Sequence, residues 1–330
     1  MRAGNHRVIL ITGATTGLGL ALARDLIARG GVRLILTARA ASLSRFKDQQ
    51  ILPADDVWLR PLDVTNEYER QAVIDEANAR WNGVDVLINN AGIAYRSVVE
   101  HFTEQDDRDE MSVNFNGPME LIRLVLPGMR QKRGGRIISI SSVGGMMAMP
   151  TMALYSASKF ALEGACEALW YEVRPWKIKV SLVEPGFIRS EGFTHTRYTT
   201  ASAQGLAEEK DAYHTHYLCM GSFIEKLMKR SFATPESVAR TIIRTIERNN
   251  PPLRVPATMD AILFRWMRRF LPQRAYHAIL YAALPGIRNW GKPFESSIQR
   301  KQLWVDSQNR HSTKNSLTIP KGDPEIPRGL

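Results

Sequence analysis

The chain has 330 residues, of which 44% are hydrophobic, so it can bury a sizeable core and is not disordered throughout. Its formal net charge of +11 comes without a nucleic-acid-binding motif, so we expect no nucleic-acid partner and regard the charge as suited to an anionic ligand. Residues 1–7 show no signal peptide, and no apolar run is long enough to span a membrane, which predicts a cytoplasmic protein.

A phosphate-binding loop is predicted near the N-terminus. Residues 8–11 are apolar and β-branched, as in a buried parallel strand, and an apolar helical stripe runs from Leu18 to Arg29. A strand, a glycine-rich turn and a helix N-terminus in this order favour a pyrophosphate, through backbone N–H groups and the helix dipole. The alternative is a glycine-rich turn without a ligand, which the flanking strand and helix make the weaker interpretation. The loop residues assigned to the cofactor are Gly13, Thr15, Gly17, Leu18 and Gly19.

The end of the second predicted strand, residues 32–37, indicates which dinucleotide is used. In a dinucleotide-binding fold this strand end meets the adenosine ribose, where an acidic residue selects NAD(H) and an arginine favours the 2′-phosphate of NADP(H). Ala38 stands where an NAD enzyme tends to have aspartate, and Arg39 follows it. We therefore predict NADP(H) over NAD(H); the alternative for Arg39 is a solvated loop arginine.

Tyr155 and Lys159 lie one helical turn apart and project from the same helix face. An ammonium near a phenol favours the phenolate, which makes a group with a pKa of ~10 more useful in acid–base chemistry. Ser142 lies thirteen residues before Tyr155. With the glycine loop, these residues predict an enzyme that moves a hydride and a proton between a nicotinamide and an alcohol or ketone. Separately, Tyr155 could be a core aromatic and Lys159 a solvated lysine.

Several motifs together resemble the short-chain dehydrogenase/reductase family, over roughly residues 7–255. Each motif is weak evidence alone, but their order and spacing are specific. The resemblance implies an α/β fold: a Rossmann-like, doubly wound parallel sheet in a single domain, here with a C-terminal helical extension. The motifs are Thr-Gly-x-x-x-Gly-x-Gly at 12–19, Asn-Asn-Ala-Gly at 89–92, Asn114, Ser142, Tyr155, Lys159 and Pro185-Gly186.

The resemblance implies a role for each catalytic residue. Tyr155 would be the general acid or base, and Lys159 would lower its pKa and hold the nicotinamide ribose. Ser142 would orient the substrate oxygen, and Asn114, at a distortion in its helix, would hold a water for proton relay. The structural alternatives are a turn serine at Ser142 and a buried amide bonded to backbone at Asn114.

The resemblance also assigns further cofactor contacts. Asp63 and Val64, at the end of a predicted strand over residues 57–62, would meet the adenine. The alternative for Asp63 is a cap on the helix that begins near Glu67. The loop after the sixth strand would contact the nicotinamide carboxamide through its backbone. The remaining contacts are Asn90, Ala91, Gly92, Pro185, Gly186 and Ile188.

The catalytic domain is assigned to residues 1–255, and its last part varies with substrate in the family. Residues 191–232 lose the regular alternation and are assigned to the substrate lid. Thr234 is expected to cap a helix that runs to about Arg248. Residues 253–255 would then form the final strand.

Residues 256–290 are predicted to form an apolar and basic helical extension, which Pro272 and Pro285 divide into two helices. Three interpretations of residues 258–290 remain: extra core over the sheet edge, a hydrophobic flap over the active site, and a helix pair in peripheral contact with a membrane. Residues 291–330 are polar and are predicted to be a disordered tail.

The sequence therefore predicts an NADP(H)-dependent oxidoreductase that interconverts an alcohol and a ketone or aldehyde. The C-terminus and aromatic lid resemble those of family members that act on steroids, retinoids or fatty chains, so we expect a small hydrophobic substrate. The alternatives are a nucleotide-sugar epimerase or dehydratase on the same scaffold and a non-catalytic NADPH-sensing protein. The short C-terminal part argues against the first, and the presence of Tyr155 and Lys159 against the second.

Two further expectations concern assembly and metals. The family usually assembles through helices near residues 114–132 and 155–173, so a homodimer or homotetramer is expected. Leu162 and Leu169 could form such a seam or belong to the core. Two widely separated cysteines and scattered histidines predict no structural disulfide and no metal site.

Overall fold

The computed structural model describes residues 6–189 and 196–292. Its main sheet has seven parallel strands: β1 Arg7–Ile11, β2 Val32–Ala38, β3 Val57–Pro61, β4 Val86–Asn89, β6 Gly135–Ile140, β7 Ile178–Glu184 and β9 Arg254–Pro256. The spatial order is β3-β2-β1-β4-β6-β7-β9. A short parallel pair, β5 Tyr95–Arg96 and β8 Arg197–Tyr198, lies outside this sheet.

The described residues also form eleven α-helices. They are α1 Gly17–Arg29, α2 Ser44–Asp48, α3 Glu67–Trp81, α4 Glu104–Met111, α5 Gly117–Gln131, α6 Ala153–Glu172, α7 Thr200–Ala207, α8 His214–Arg230, α9 Pro235–Glu247, α10 Met259–Phe270 and α11 Gln273–Ala283. A π-helical turn, Ser112–Asn116, joins α4 to α5.

The central strand β1 shows why the sheet is covered on both faces. Val8 and Leu10 pack into a core formed with α3, α5 and α6, and Ile9 and Ile11 pack into a second core formed with α1 and α9. Side chains alternate between the faces of a strand, so a continuous apolar run requires helices on both sides. The predicted doubly wound parallel sheet is confirmed.

Most predicted elements lie where the sequence placed them. The helix capped by Thr234 is α9, and Thr234 and Ser237 form a reciprocal capping box at its start. The proline at 272 separates α10 from α11 as expected. Leu162 and Leu169 are buried in the core of the single chain, so they do not form an intersubunit seam.

The C-terminal helices pack on the loop that follows β6. Met146 and Met147 of that loop form a small core with Tyr276 of α11, flanked by Phe264 and Met267 of α10. The compact unit extends to Trp290. Of the predicted tail 291–330, the part from residue 293 onward lies outside the described residues. Lid residues 191–195 lie outside them as well.

The outer face of α10 differs from its inner face. Leu263, Trp266 and Phe270 are 57%, 58% and 60% exposed. Within the described part of the chain, no helix is both long and apolar enough to cross a bilayer.

Candidate active site

A cleft opens at the carboxyl ends of the central strands. It consists of two adjoining cavities of about 610 and 580 Å³. Loops after β1, β2 and β3 line the smaller cavity, and loops after β6 and β7 line the larger. The chain leaves β1 and β4 toward opposite sides of the sheet, and doubly wound sheets bind ligands at such a crossover. All the predicted site residues line one of the cavities except Asn114, which is buried behind Gly92.

The glycine loop after β1 is held closely against the loop after β4. Gly13 has a φ of 65°, a conformation that favours glycine. A Cβ on Gly19 would collide with the carbonyl oxygen of Gly13. Asn90 Nδ2 donates to the carbonyl oxygens of Thr12 and Gly13, at 2.9 and 3.0 Å. The predicted contact Asn90 therefore also fixes the shape of the loop.

The start of α1 fits a phosphate group. Thr16 is the N-cap, and among the described residues no side chain caps this end. The first turn carries no acidic residue. The unpaired N–H groups and the positive end of the helix dipole therefore face the smaller cavity, where an anion satisfies both.

The end of the cleft beside β2 and β3, where an adenosine is expected, contains more polar groups than the sequence indicated. Arg39 lines both cavities, and so does Arg45, six residues further on in α2. Ser42 lies between them and lines the smaller cavity. Arg45 and Ser42 escaped sequence reasoning because nothing in the sequence fixes how the short helix α2 folds back beside β2.

Asp63 and Val64 line the same cavity. Asp63 Oδ1 accepts hydrogen bonds from the N–H and hydroxyl of Thr65, at 2.9 and 2.7 Å. The N-cap of α3 is Asn66, which accepts from the N–H of Glu69. The alternative assignment of Asp63 as the helix cap is therefore wrong.

The three predicted polar catalytic residues meet in the larger cavity. Tyr155 and Lys159 project from α6, and Ser142 follows β6. The Ser142 hydroxyl accepts a bond from the N–H of Gly144 at 3.0 Å, and Ser142 and Tyr155 line the same cavity. Lys159 Nζ lies 5.7 Å from the centre of the Tyr155 ring and donates to the carbonyl oxygen of Ile140 at 2.9 Å.

The electrostatics of this group differ from the expectation. Burial raises the pKa of Tyr155; the hydrogen bond with Ser142 opposes this, and the charge of Glu110 adds to it. Burial lowers the pKa of Lys159 to about 8, against the charges of Glu110 and Glu163. The expected lowering of the Tyr155 pKa by Lys159 is therefore not observed, and Tyr155 is a neutral phenol at neutral pH. The sequence gives the spacing of the pair but not its burial.

Asn114 lies in the π-helical turn, the distortion that the sequence predicted. Its side chain accepts from the N–H of Ile93 and donates to the carbonyl oxygen of Ile93, both at 2.9 Å. It also donates to Ser158 Oγ at 3.0 Å. Asn114 thus ties the loop after β4 to α6, beside Lys159. The backbone-bonded amide of the structural alternative is therefore present.

A buried ionic cluster supports the Ser142 loop from beneath. Glu163 Oε1 accepts from the hydroxyl of Ser141 at 2.6 Å. Arg254 of β9 pairs with Glu163, with Glu184 at 3.2 Å and with Glu167 at 2.8 Å. Burial raises the pKa of Glu184 to about 7, with Glu163 adding to the shift and Arg254 opposing it. Loss of Arg254 would leave the buried carboxylates of Glu163 and Glu184 without a compensating charge. The intact cluster therefore opposes displacement of the Ser142 loop.

The extension holds the predicted nicotinamide loop. The N–H of Gly186 donates to Thr258 Oγ1 at 2.9 Å, and the N–H of Phe187 donates to Asp260 Oδ2 at 2.7 Å. A Cβ on Gly186 would collide with the Asp260 carboxylate. Both acceptors lie at the start of α10, a connection that no local sequence pattern signals.

Several apolar side chains line the larger cavity: Met149, Met152, Phe187, Ile224 and Met228. Ile224 and Met228 belong to α8, so part of the predicted lid 191–232 reaches the cavity. Sequence reasoning could not select these residues, because methionines and isoleucines on helices are usually core.

Comparisons with known proteins agree with this geometry. A family model described as short chain dehydrogenase matches residues 7–200. A 3-ketodihydrosphingosine reductase from Bacteroides thetaiotaomicron is 35% identical, over 81% of this chain and 93% of its own length.

Two solved structures are similar as well. A short-chain dehydrogenase from Streptomyces avermitilis has 29% identity and a TM-score of 0.69, covering 93% of this chain and 99% of that one. A short chain dehydrogenase from Burkholderia cenocepacia in complex with NADP has 23% identity and a TM-score of 0.65, covering 84% and 98%, a likeness of fold. From its motifs, its sheet and these matches, the chain belongs to the short-chain dehydrogenase/reductase family of oxidoreductases.

Proposed function

We propose that this protein reduces a hydrophobic ketone or aldehyde with NADPH, and catalyses the reverse oxidation, with Tyr155 as the proton-transfer group. The observation that carries the proposal is the meeting of Tyr155, Ser142 and Lys159 on one wall of a cavity that continues into the phosphate-binding loop. In such a cavity a carbonyl would lie between a proton donor and a bound dinucleotide.

The chain's own residues would act as follows. A nicotinamide dinucleotide, when bound, supplies the hydride. Tyr155 donates its phenolic proton to the substrate oxygen as that oxygen gains negative charge. Ser142, which lines the same cavity as Tyr155, orients the same oxygen. The Lys159 ammonium stabilises the phenolate that remains.

The preference for NADP(H) is supported by the charge at the adenosine end. Arg39 and Arg45 both line the cavities there, with the buried Ser42 between them. Two guanidinium groups favour a 2′-phosphate, and no acidic side chain at the end of β2 competes for the ribose hydroxyls.

The choice of a long-chain hydrophobic carbonyl is supported by the apolar side chains that line the larger cavity and by the sphingoid-ketone reductase among the relatives. A substrate of this kind resides in membranes. The outer face of α10 exposes Leu263, Trp266 and Phe270, and the Arg269 guanidinium lies 5.8 Å from the centre of the Phe270 ring. Aromatic and aliphatic side chains with a neighbouring arginine suit an anionic lipid surface, so we propose that this face rests on one.

The test of the catalytic proposal is Tyr155→Phe, assayed by NADPH oxidation with a panel of long-chain ketones and aldehydes. We expect kcat to fall by about 10²–10⁴-fold, because the proton donor is lost. NADPH affinity, measured by fluorescence titration, should change little.

The matched control is Tyr171→Phe, which removes an exposed hydroxyl from the same helix and should leave turnover unchanged. A Tyr155→Phe enzyme that keeps a substantial share of its turnover would refute the assignment.

A further inference from the structure

Glu110 is a buried acid beside the catalytic group that no motif indicated. It is fully buried on α4, four residues before Asn114. Its Oε1 lies 3.4 Å from the backbone nitrogen of Tyr95 and 3.4 Å from Asn114 Nδ2, distances of weak hydrogen bonds. Its Oε2 is buried without a hydrogen-bond partner among the described residues. An acid in this position is costly and needs a reason.

The charges around Glu110 come from three elements. Lys159 and Tyr155 on α6, Arg197 on β8 and Asp106 on its own helix interact with it electrostatically. The Asn114 amide bridges Glu110 to Ser158 of α6, the residue before Lys159. Burial raises the pKa of Glu110 to about 8, while the N–H of Tyr95 and the charges of Lys159 and Arg197 oppose the shift. The carboxyl therefore ionises within the pH range in which the enzyme would work. Its charge raises the pKa of both Tyr155 and Lys159.

We propose that Glu110 is a positioning residue that keeps Tyr155 in its proton-donating form at alkaline pH and so extends the pH range of carbonyl reduction. The proposal rests on the reduction proposed above. Glu110 touches neither the substrate nor the cofactor; its carboxylate acts on the Tyr155–Lys159 pair through space and through Asn114.

The sign of the effect follows from charge. Once ionised, Glu110 raises the pKa of both Tyr155 and Lys159, because a nearby anion opposes the loss of a proton. Without this charge, the coupled pair Tyr155 and Lys159 must lose its protons at lower pH. Carbonyl reduction requires the phenol, so its alkaline limit should move the same way.

The test is Glu110→Gln, which keeps the Oε1 acceptor for Tyr95 and Asn114 and removes only the charge. We expect the alkaline limb of kcat/KM for carbonyl reduction to shift down by about one pH unit. A second measurement needs no cofactor. Ultraviolet titration of phenolate, with the Tyr155→Phe protein subtracted, should show Tyr155 ionising at lower pH in Glu110→Gln.

Three further variants complete the design. Glu110→Asp keeps the charge and should restore the original limb. Asp107→Asn removes an exposed charge from the same helix and should shift nothing. Glu110→Ala removes the charge without burying an amide. It replaces Glu110→Gln in both measurements if Glu110→Gln does not fold.

The outcomes separate this inference from the proposed function. Suppose that the unaltered chain reduces carbonyls, and that the charge-free variants have the same alkaline limb and the same phenolate titration. This result would refute the role of Glu110 and would leave the proposed function intact. An unaltered chain without turnover on any carbonyl refutes the function. The cofactor-free titration then still decides whether Glu110 controls Tyr155.

Discussion

At the residue scale, the proposed preference for NADPH rests on two guanidinium groups. Arg39 and Arg45 line the adenosine end of the cleft. Replacing Arg39 by Ala should weaken NADPH binding about tenfold and NADH binding far less, because only NADPH carries the 2′-phosphate. Arg39→Ala with Arg45→Ala should abolish the preference, as measured by the two dissociation constants in one buffer.

The control for these variants is Arg24→Ala, an exposed arginine on α1 that pairs with Gln49 and does not line the cleft. Equal losses for NADPH and NADH in Arg39→Ala would mean that this side chain supports the loop rather than reads the phosphate.

Individual site residues were predictable where they follow a strand directly. Arg39 and Ser142 each come after an apolar run, and strand ends in a parallel sheet share one edge. Arg45 and Glu110 were not predictable, since their place depends on how a short helix folds back or how α4 packs on α6. The raised pKa of Tyr155 was missed for a similar reason: burial is a property of packing, and spacing alone does not reveal it.

At the element scale, the sheet was predictable because its central strands β1 and β4 carry continuous apolar runs and β2, β6 and β7 are rich in β-branched residues. The final strand shifts by one residue, from the predicted 253–255 to Arg254–Pro256. The pair β5 and β8 gave no signal, since each strand has two residues and the partners are about a hundred residues apart. The connection from α10 to the nicotinamide loop was hidden for the same reason, as it joins positions far apart in the chain.

This connection predicts a remote effect on cofactor binding. Asp260→Ala removes the acceptor of the Phe187 N–H and leaves that half-buried donor unpaired. We expect the affinity for NADPH to fall about tenfold, since an unpaired buried donor costs roughly 1–3 kcal/mol. Isothermal titration with NADPH measures the change.

Asp260→Asn is the matched variant, because its amide oxygen can still accept from Phe187. It should keep most of the affinity. If both variants bind NADPH as the unaltered chain does, the loop does not depend on the extension.

At the scale of the whole molecule, the three interpretations of the extension can be weighed. Its inner face is core, packed on the loop after β6, and its first turn holds a loop of the cleft. Its outer face has no partner among the described residues, and it carries aromatic side chains and Arg269. The first interpretation therefore describes the inner face. No residue of 258–290 lines either cavity, so the described structure does not support the hydrophobic flap, and the third interpretation concerns only the outer face.

The outer face leads to a test with lipid. We expect the protein to float with phosphatidylserine-containing vesicles and less with purely zwitterionic ones, with weaker binding at high salt. Trp266→Ser with Phe270→Ser should reduce binding at least about tenfold, because each aromatic contributes roughly 1.5–3 kcal/mol when buried.

Phe232→Ser, a fully exposed aromatic outside the extension, is the matched control and should float as before. Failure of the unaltered chain to float with any vesicle would rule out this surface.

Because α10 carries exposed aromatics on its outer side and the acceptors Thr258 and Asp260 at its start, this one helix would connect the two binding events proposed here. Linkage between two binding events is reciprocal. If bound lipid raises the affinity for the dinucleotide, bound dinucleotide must raise the affinity for lipid by the same factor. The enzyme with bound dinucleotide would then have the longest residence time on the bilayer. The rate of cofactor exchange would set the rate at which the enzyme dissociates from lipid.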